Sequence, residues 1–151
     1  MGDRFVDVNC GRITRGGLKM GDASGTLTVM IADDDELIRA VIAIYFSGKG
    51  HRVVAVSTGQ ECLALVRLSE PDVLLLDVTM PVMDGWEVCR RLREFSTVPI
   101  IMLTARAQVG DKEMGVAMGA SAYVTKPVSL KELEARIRAL VAPLSRDPNA
   151  V

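Results

Sequence analysis

Three observations predict an α/β fold, a doubly wound five-stranded parallel sheet with five helices: short apolar runs of strand length, helical spacing between them, and capping residues where helices should start. The runs are LTVMIA (27–32), RVVAV (52–56), DVLLLD (72–77), VPIIML (98–103) and AYVT (122–125), several of them rich in Val and Ile. Apolar runs without alternation suit strands buried on both faces. A helix after each such strand implies parallel pairing with right-handed crossovers.

Taken in order, residues 1–25 contain CGRITRGGLKMGDASG and no periodic apolar face, so a flexible N-terminal extension is expected there. The folded domain is expected over 26–142, with a polar tail or truncated linker over 143–151. The first strand runs straight into four acids, Asp33, Asp34, Asp35 and Glu36. Leu37, Ile38, Val41, Ile42 and Tyr45 then recur at helical spacing, and SGKG (47–50) supplies a left-handed stop. After the second strand, TGQE (58–61) has the capping-box pattern, in which a Thr or Asp side chain and a Glu three positions later satisfy orphan amides. Pro71 stands near the start of the third strand, where a missing donor is tolerated, and DGWE (84–87) marks the third helix. Pro99 lies at the fourth strand, Gly119 ends the fourth helix, and SLKE (129–132) opens the last one.

Composition narrows the function. The chain has 151 residues, 49% hydrophobic and 25% charged, enough for one domain with a real core. A formal net charge of −1 speaks against direct nucleic-acid contact by this domain, which would call for a basic excess. Cys10, Cys62 and Cys89 have neither CxxC nor Cys/His metal spacing, so reduced thiols are expected rather than a disulfide framework or zinc site. No apolar run approaches the ~18 residues of a membrane span, and no signal-peptide core is visible, so a cytoplasmic protein without membrane contact is expected.

Ligands of such sheets bind beyond the carboxyl ends of the strands, at the topological switch point. Here those ends carry Asp33, Asp34 and Asp35, then Asp77, then Thr104, then Lys126. Carboxylates crowded at one edge repel and rise in pKa unless a cation sits among them. Oxygen donors without His or Cys favour a hard cation, and Mg²⁺ takes one or two carboxylates together with water and phosphate oxygens.

The stretches IADDDELIR, LLLDVTMPVMDGWEV, IIMLTA, GASAYVTKP and SLKELEARIRALV, in this order, resemble a response-regulator receiver domain of two-component signalling, the CheY-like family, over residues 26–141. The resemblance implies a flavodoxin-like sheet order, 2-1-3-4-5. It implies Asp77 as the phosphoryl acceptor, and Mg²⁺ held by Asp33, Asp34, Asp77 and the carbonyl of Thr79. Thr104 and Lys126 would bind phosphoryl oxygens, and Tyr123 would be the aromatic whose rotamer reports the state. The phosphodonor would be a sensor histidine kinase or a phosphotransfer protein. The domain would catalyse only its own phosphorylation and dephosphorylation, with Thr79 and Arg106 flanking the path of the attacking water. A cis Lys126–Pro127 bond is expected as well.

The output face is placed on the fourth helix, fifth strand and fifth helix, over 108–141, with Lys112, Glu132 and Arg136 as its charged contacts. Receivers joined to winged-helix domains usually carry an acidic pair before the Tyr. Ser121 and Ala122 stand there instead, so a weak homodimer is expected rather than a tight one. Asp35 and Glu36 read as first-turn charges, Asp84 as a cap and Trp86 as a packing residue. Two enzyme-like or cofactor-binding rivals fit poorly: a haloacid-dehalogenase-type hydrolase needs DxD where Thr79 stands, and a flavin carrier needs a Gly- and hydroxyl-rich first loop. A non-phosphorylated pseudo-receiver acting as a constitutive binding module is the alternative; it would have lost an acid, the Thr or the Lys, and none is lost.

Overall fold

Five parallel strands form one sheet in the order β2-β1-β3-β4-β5: β1 (Thr28–Ala32), β2 (Arg52–Val56), β3 (Val73–Asp77), β4 (Ile100–Thr104) and β5 (Ala122–Thr125). This computed structural model describes residues 25–105 and 119–145. The expected N-terminal extension, the fourth helix, Arg106 and Lys112 lie outside the described residues. The described helices are α1 (Glu36–Gly48), α2 (Gly59–Ser69), α3 (Gly85–Leu92) and α4 (Leu130–Ser145), the last running past the boundary expected at 142.

β1, β3 and β4 are buried at every position, which is why their sequences are apolar without alternation. Alternate side chains divide between two cores. Val29, Ile31, Leu75 and Leu103 pack under α1 and α4 with Ile42, Phe46, Leu133 and Ile137. Met30, Leu74, Leu76 and Met102 pack under α2 and α3 with Cys62, Val66, Val88 and Leu92. Each fully buried aliphatic side chain contributes roughly 1.5–3 kcal/mol, so the strand ends that carry the polar groups rest on a rigid base. Cys62 and Cys89 are buried and in no disulfide, and burial pushes the Cys62 thiol up to about 12, which keeps it inert.

The caps follow the sequence with two differences. Asp35, Thr58, Asp84 and Ser129 each accept a first-turn amide, so Asp35 is a cap rather than a first-turn charge. Glu87 does not fold back on its cap: it pairs with Arg90 and Arg91, each at 2.6 Å. At the end of α1 the left-handed residue is Gly50 (φ +93), while Lys49 caps the helix at φ −98.

The residues at helical spacing do form α1, but they do not all face the core. Leu37 and Val41 are 69% and 41% exposed, and the buried stripe is Ile42, Ala43 and Phe46, with Ile38 and Tyr45 packed beside it. This helix has two apolar stripes, and contact with the sheet, not periodicity, selects one.

Candidate functional site

The end of β1 is tied down before it reaches solvent. Asp33 is fully buried, its N–H donates to the Val56 carbonyl at 3.2 Å, and its Oδ1 accepts from the Asp35 N–H at 2.9 Å. Arg39 reaches back from α1 to the Asp33 carbonyl at 2.9 Å. Asp34, next in the chain, is exposed. Asp77 ends β3 and is 4% exposed, as is Thr104 at the end of β4.

Lys126 joins these strand ends. Its N–H donates to the Thr104 carbonyl at 2.7 Å, which extends the β4–β5 ladder by one step, and its bond to Pro127 is cis, as expected. Its Nζ lies 3.1 Å from Asp33 Oδ2 and 3.1 Å from Asp77 Oδ1.

Burial raises the Asp77 carboxyl to about 6, helped by repulsion from Asp33 and opposed by Lys126 and by a long bond, 3.4 Å, from the Thr79 N–H. Burial alone would lower the Lys126 ammonium, but its bonds to Asp77 and Asp33 outweigh that and hold it above its usual value.

Carboxylate oxygens of Asp33, Asp34 and Asp77 all lie within 4.8 Å of one another. One ammonium against three carboxylates leaves the cluster anionic. Its donors are all hard oxygens, so the residues present fit a divalent cation such as Mg²⁺.

The loop after β3 is folded onto the backbone of Asp77 and Val78. Gly85 N–H donates to the Val78 carbonyl at 2.8 Å, and Met83 N–H to the Pro81 carbonyl at 2.8 Å around Val82, whose φ is +72. A Cβ on Gly85 would sit 2.2 Å from the Asp77 carbonyl oxygen. Sequence reasoning explained Asp84 as a cap and missed that Gly85 is required for this approach.

Further out, Tyr123 on β5 meets Trp86 on α3 edge to face, ring centroids 6.5 Å apart at 61°. Trp86 therefore packs, as expected, but against the expected switch residue. Ser121, singled out for lacking a carboxylate, clamps the start of β4: its N–H donates to the Ile100 carbonyl at 2.8 Å and its Oγ accepts from the Ile100 N–H at 3.1 Å. Of the expected output contacts, Glu132 and Arg136 pair with each other at 3.4 Å on α4.

With this geometry the site is that of an aspartate-and-lysine signalling module, and the chain belongs to a known family of them. Residues 29–138 match the response regulator receiver domain. The chain is 49% identical over 113 residues to a probable transcriptional regulator ycf27 of Guillardia theta, covering 75% of this chain and 44% of that protein. It is 38% identical over 114 residues to the alkaline phosphatase synthesis transcriptional regulatory protein PhoP of Bacillus subtilis, covering 75% and 48%. The chain thus spans about half the length of these curated relatives. Among solved structures, the receiver domain of a Francisella response regulator superposes with a TM-score of 0.75 at 32% identity, over 79% of this chain and 99% of that one. No helix among the described residues is long and apolar enough to cross a membrane.

Proposed function

We propose that this domain takes a phosphoryl group onto Asp77 from a sensor histidine kinase or phosphotransfer protein, with Mg²⁺, and that the aspartyl phosphate switches a partner-binding face. The observation that carries this is Lys126 Nζ, placed 3.1 Å from both Asp33 and Asp77 inside the cluster of carboxylates. A pseudo-receiver would not need that arrangement.

In the transfer, an ionised Asp77 oxygen attacks phosphorus in line as the phosphohistidine N–P bond breaks, and the donor imidazole keeps the electron pair. Lys126 offsets charge on a phosphoryl oxygen and favours the ionised Asp77. Mg²⁺, held by Asp33, Asp34, Asp77 and the Thr79 carbonyl, would neutralise further phosphoryl charge. The new oxygens then draw in the Thr104 hydroxyl, and the space it vacates admits the Tyr123 ring. The domain acts on no other substrate and works in the cytoplasm. Any DNA contact by a full-length regulator lies outside this domain.

Asp34→Ala should weaken Mg²⁺ binding by about tenfold or more, the order seen when metal sites are disturbed, and slow phosphorylation with it. Titration of Mg²⁺ against Trp86 fluorescence checks this. A wild-type titration curve for the variant would place the metal elsewhere.

The output face spans residues 108–141, which include β5 and the first three turns of α4. Reversing a population from 1:99 to 99:1 takes about 5.5 kcal/mol of differential binding, so phosphorylation alone should give a partial shift that a partner or a weak homodimer completes. Amide exchange with and without a phosphoryl analogue should change within residues 108–141. Changes confined to the acidic loops would remove this face from the reading.

A further inference from the structure

We propose that Trp86 is a positioning residue for Tyr123, so that the two rings form a second link from the acceptor's backbone to β5, beside the one through Thr104. The inference rests on the reading of Asp77 as acceptor and goes beyond it. Gly85 is locked to the acceptor: its N–H bonds the Val78 carbonyl at 2.8 Å, and no side-chain atom fits between its Cα and the Asp77 carbonyl. Trp86 is the next residue, so its ring leaves the helix from a point fixed to the backbone of Asp77.

That ring packs against the core under α2 and α3 and presents an edge-to-face contact to Tyr123, with the 6.5 Å separation inside the range such pairs prefer. Tyr123 stands opposite Met102 of that core in the β4–β5 register, while Ala122 and Val124 on either side face the other core. Alternation therefore points the Tyr123 ring toward α3. Any rotation of this ring has to break or remake the Trp86 contact, and any shift of the 77–85 backbone reaches Tyr123 through Gly85 and Trp86. A Trp that merely filled space would be indifferent to both.

Trp86 is the single tryptophan, so its emission reads the pair directly. The full chain is titrated with beryllofluoride and Mg²⁺ as phosphoryl analogue, with binding followed by calorimetry and emission in parallel. In the wild type, emission should change along the calorimetric isotherm; Tyr123→Leu should still bind the analogue but lose most of the emission change. In a second measurement, Trp86→Leu should lose the analogue-induced change in amide exchange at residues 122–125, and Trp86→Phe should retain it. A full emission change in Tyr123→Leu, or an unaltered exchange response in Trp86→Leu, overturns the proposal. Absence of calorimetric binding to the wild type instead removes the acceptor reading, and the proposal falls with it.

Discussion

Asp77→Asn should accept no phosphoryl group from a small phosphodonor with Mg²⁺, where the wild type gains the mass of one. The amide lacks the anionic oxygen that attacks phosphorus, and Asp33, also 3.1 Å from Lys126, is fully buried with its other carboxylate oxygen bonded to the Asp35 N–H. Labelling of the variant at the wild-type level would move the acceptor elsewhere. The same substitution should have the opposite sign in stability. Burial and Asp33 raise the folded Asp77 to about 6, against ~3.9 for a carboxylate in an unfolded chain. The folded state then binds this proton more tightly. Its contribution is present below pH ~3.9 and is lost as pH rises through the folded value. At neutral pH, without metal, ionised Asp77 therefore destabilises the fold, and Asn relieves this by on the order of 1–3 kcal/mol. Denaturant midpoints in chelator, across pH, check the sign. The gap between the proteins should close as pH is lowered, and a variant less stable at neutral pH would mean that attraction to Lys126 outweighs burial and repulsion.

Why the strands and the acidic site were legible, and other features were not, follows from what each residue has to satisfy. A central parallel strand must be apolar on both faces, so Val29 to Ala32 and Val73 to Leu76 announce themselves. Packing gives no reason for an acid at the end of such a strand, so Asp33 and Asp77 stood out as chemistry. In α1 the spacing marked the helix but not its buried face, because two apolar stripes satisfy one periodicity and Leu37 and Val41 lie on the exposed one. Glu70 ends α2 in the left-handed region, φ 47, a conformation that the sequence does not signal with Gly or Asn. Trp86 and Tyr123 meet only through the tertiary fold, and no local pattern carries that contact.

Gly85→Ala should be among the most damaging single-methyl changes in the domain. Its Cβ would meet the Asp77 carbonyl oxygen at 2.2 Å, Val78 Cα at 2.8 Å and the Asp77 carbonyl carbon at 3.0 Å. All are backbone atoms at the end of β3, which the β3–β4 ladder and the Gly85–Val78 bond hold in place. Relief has to come from moving the loop that carries Thr79, so stability and the metal site should suffer together. Overpacking costs about 1–3 kcal/mol and occasionally more, and rigid neighbours put this case at the upper end. Ala gains up to about 1 kcal/mol over Gly in a helix, and less at a first position, so the clash wins. A net loss of about 2 kcal/mol lowers Tm by roughly 8 °C for a domain of this size. Gly59 is the internal comparison. Its Cβ would meet Val88 Cγ2 at 2.7 Å and Met83 Cβ and carbonyl oxygen at 3.2 Å, so its tightest contact is a side chain that can turn. Gly59→Ala should therefore cost less and leave Mg²⁺ binding closer to wild type. If thermal melts rank Gly59→Ala as the more damaging, the loop after Asp77 is softer than its hydrogen bonds imply, and the backbone link from Asp77 through Gly85 to Trp86 loses its rigid first step.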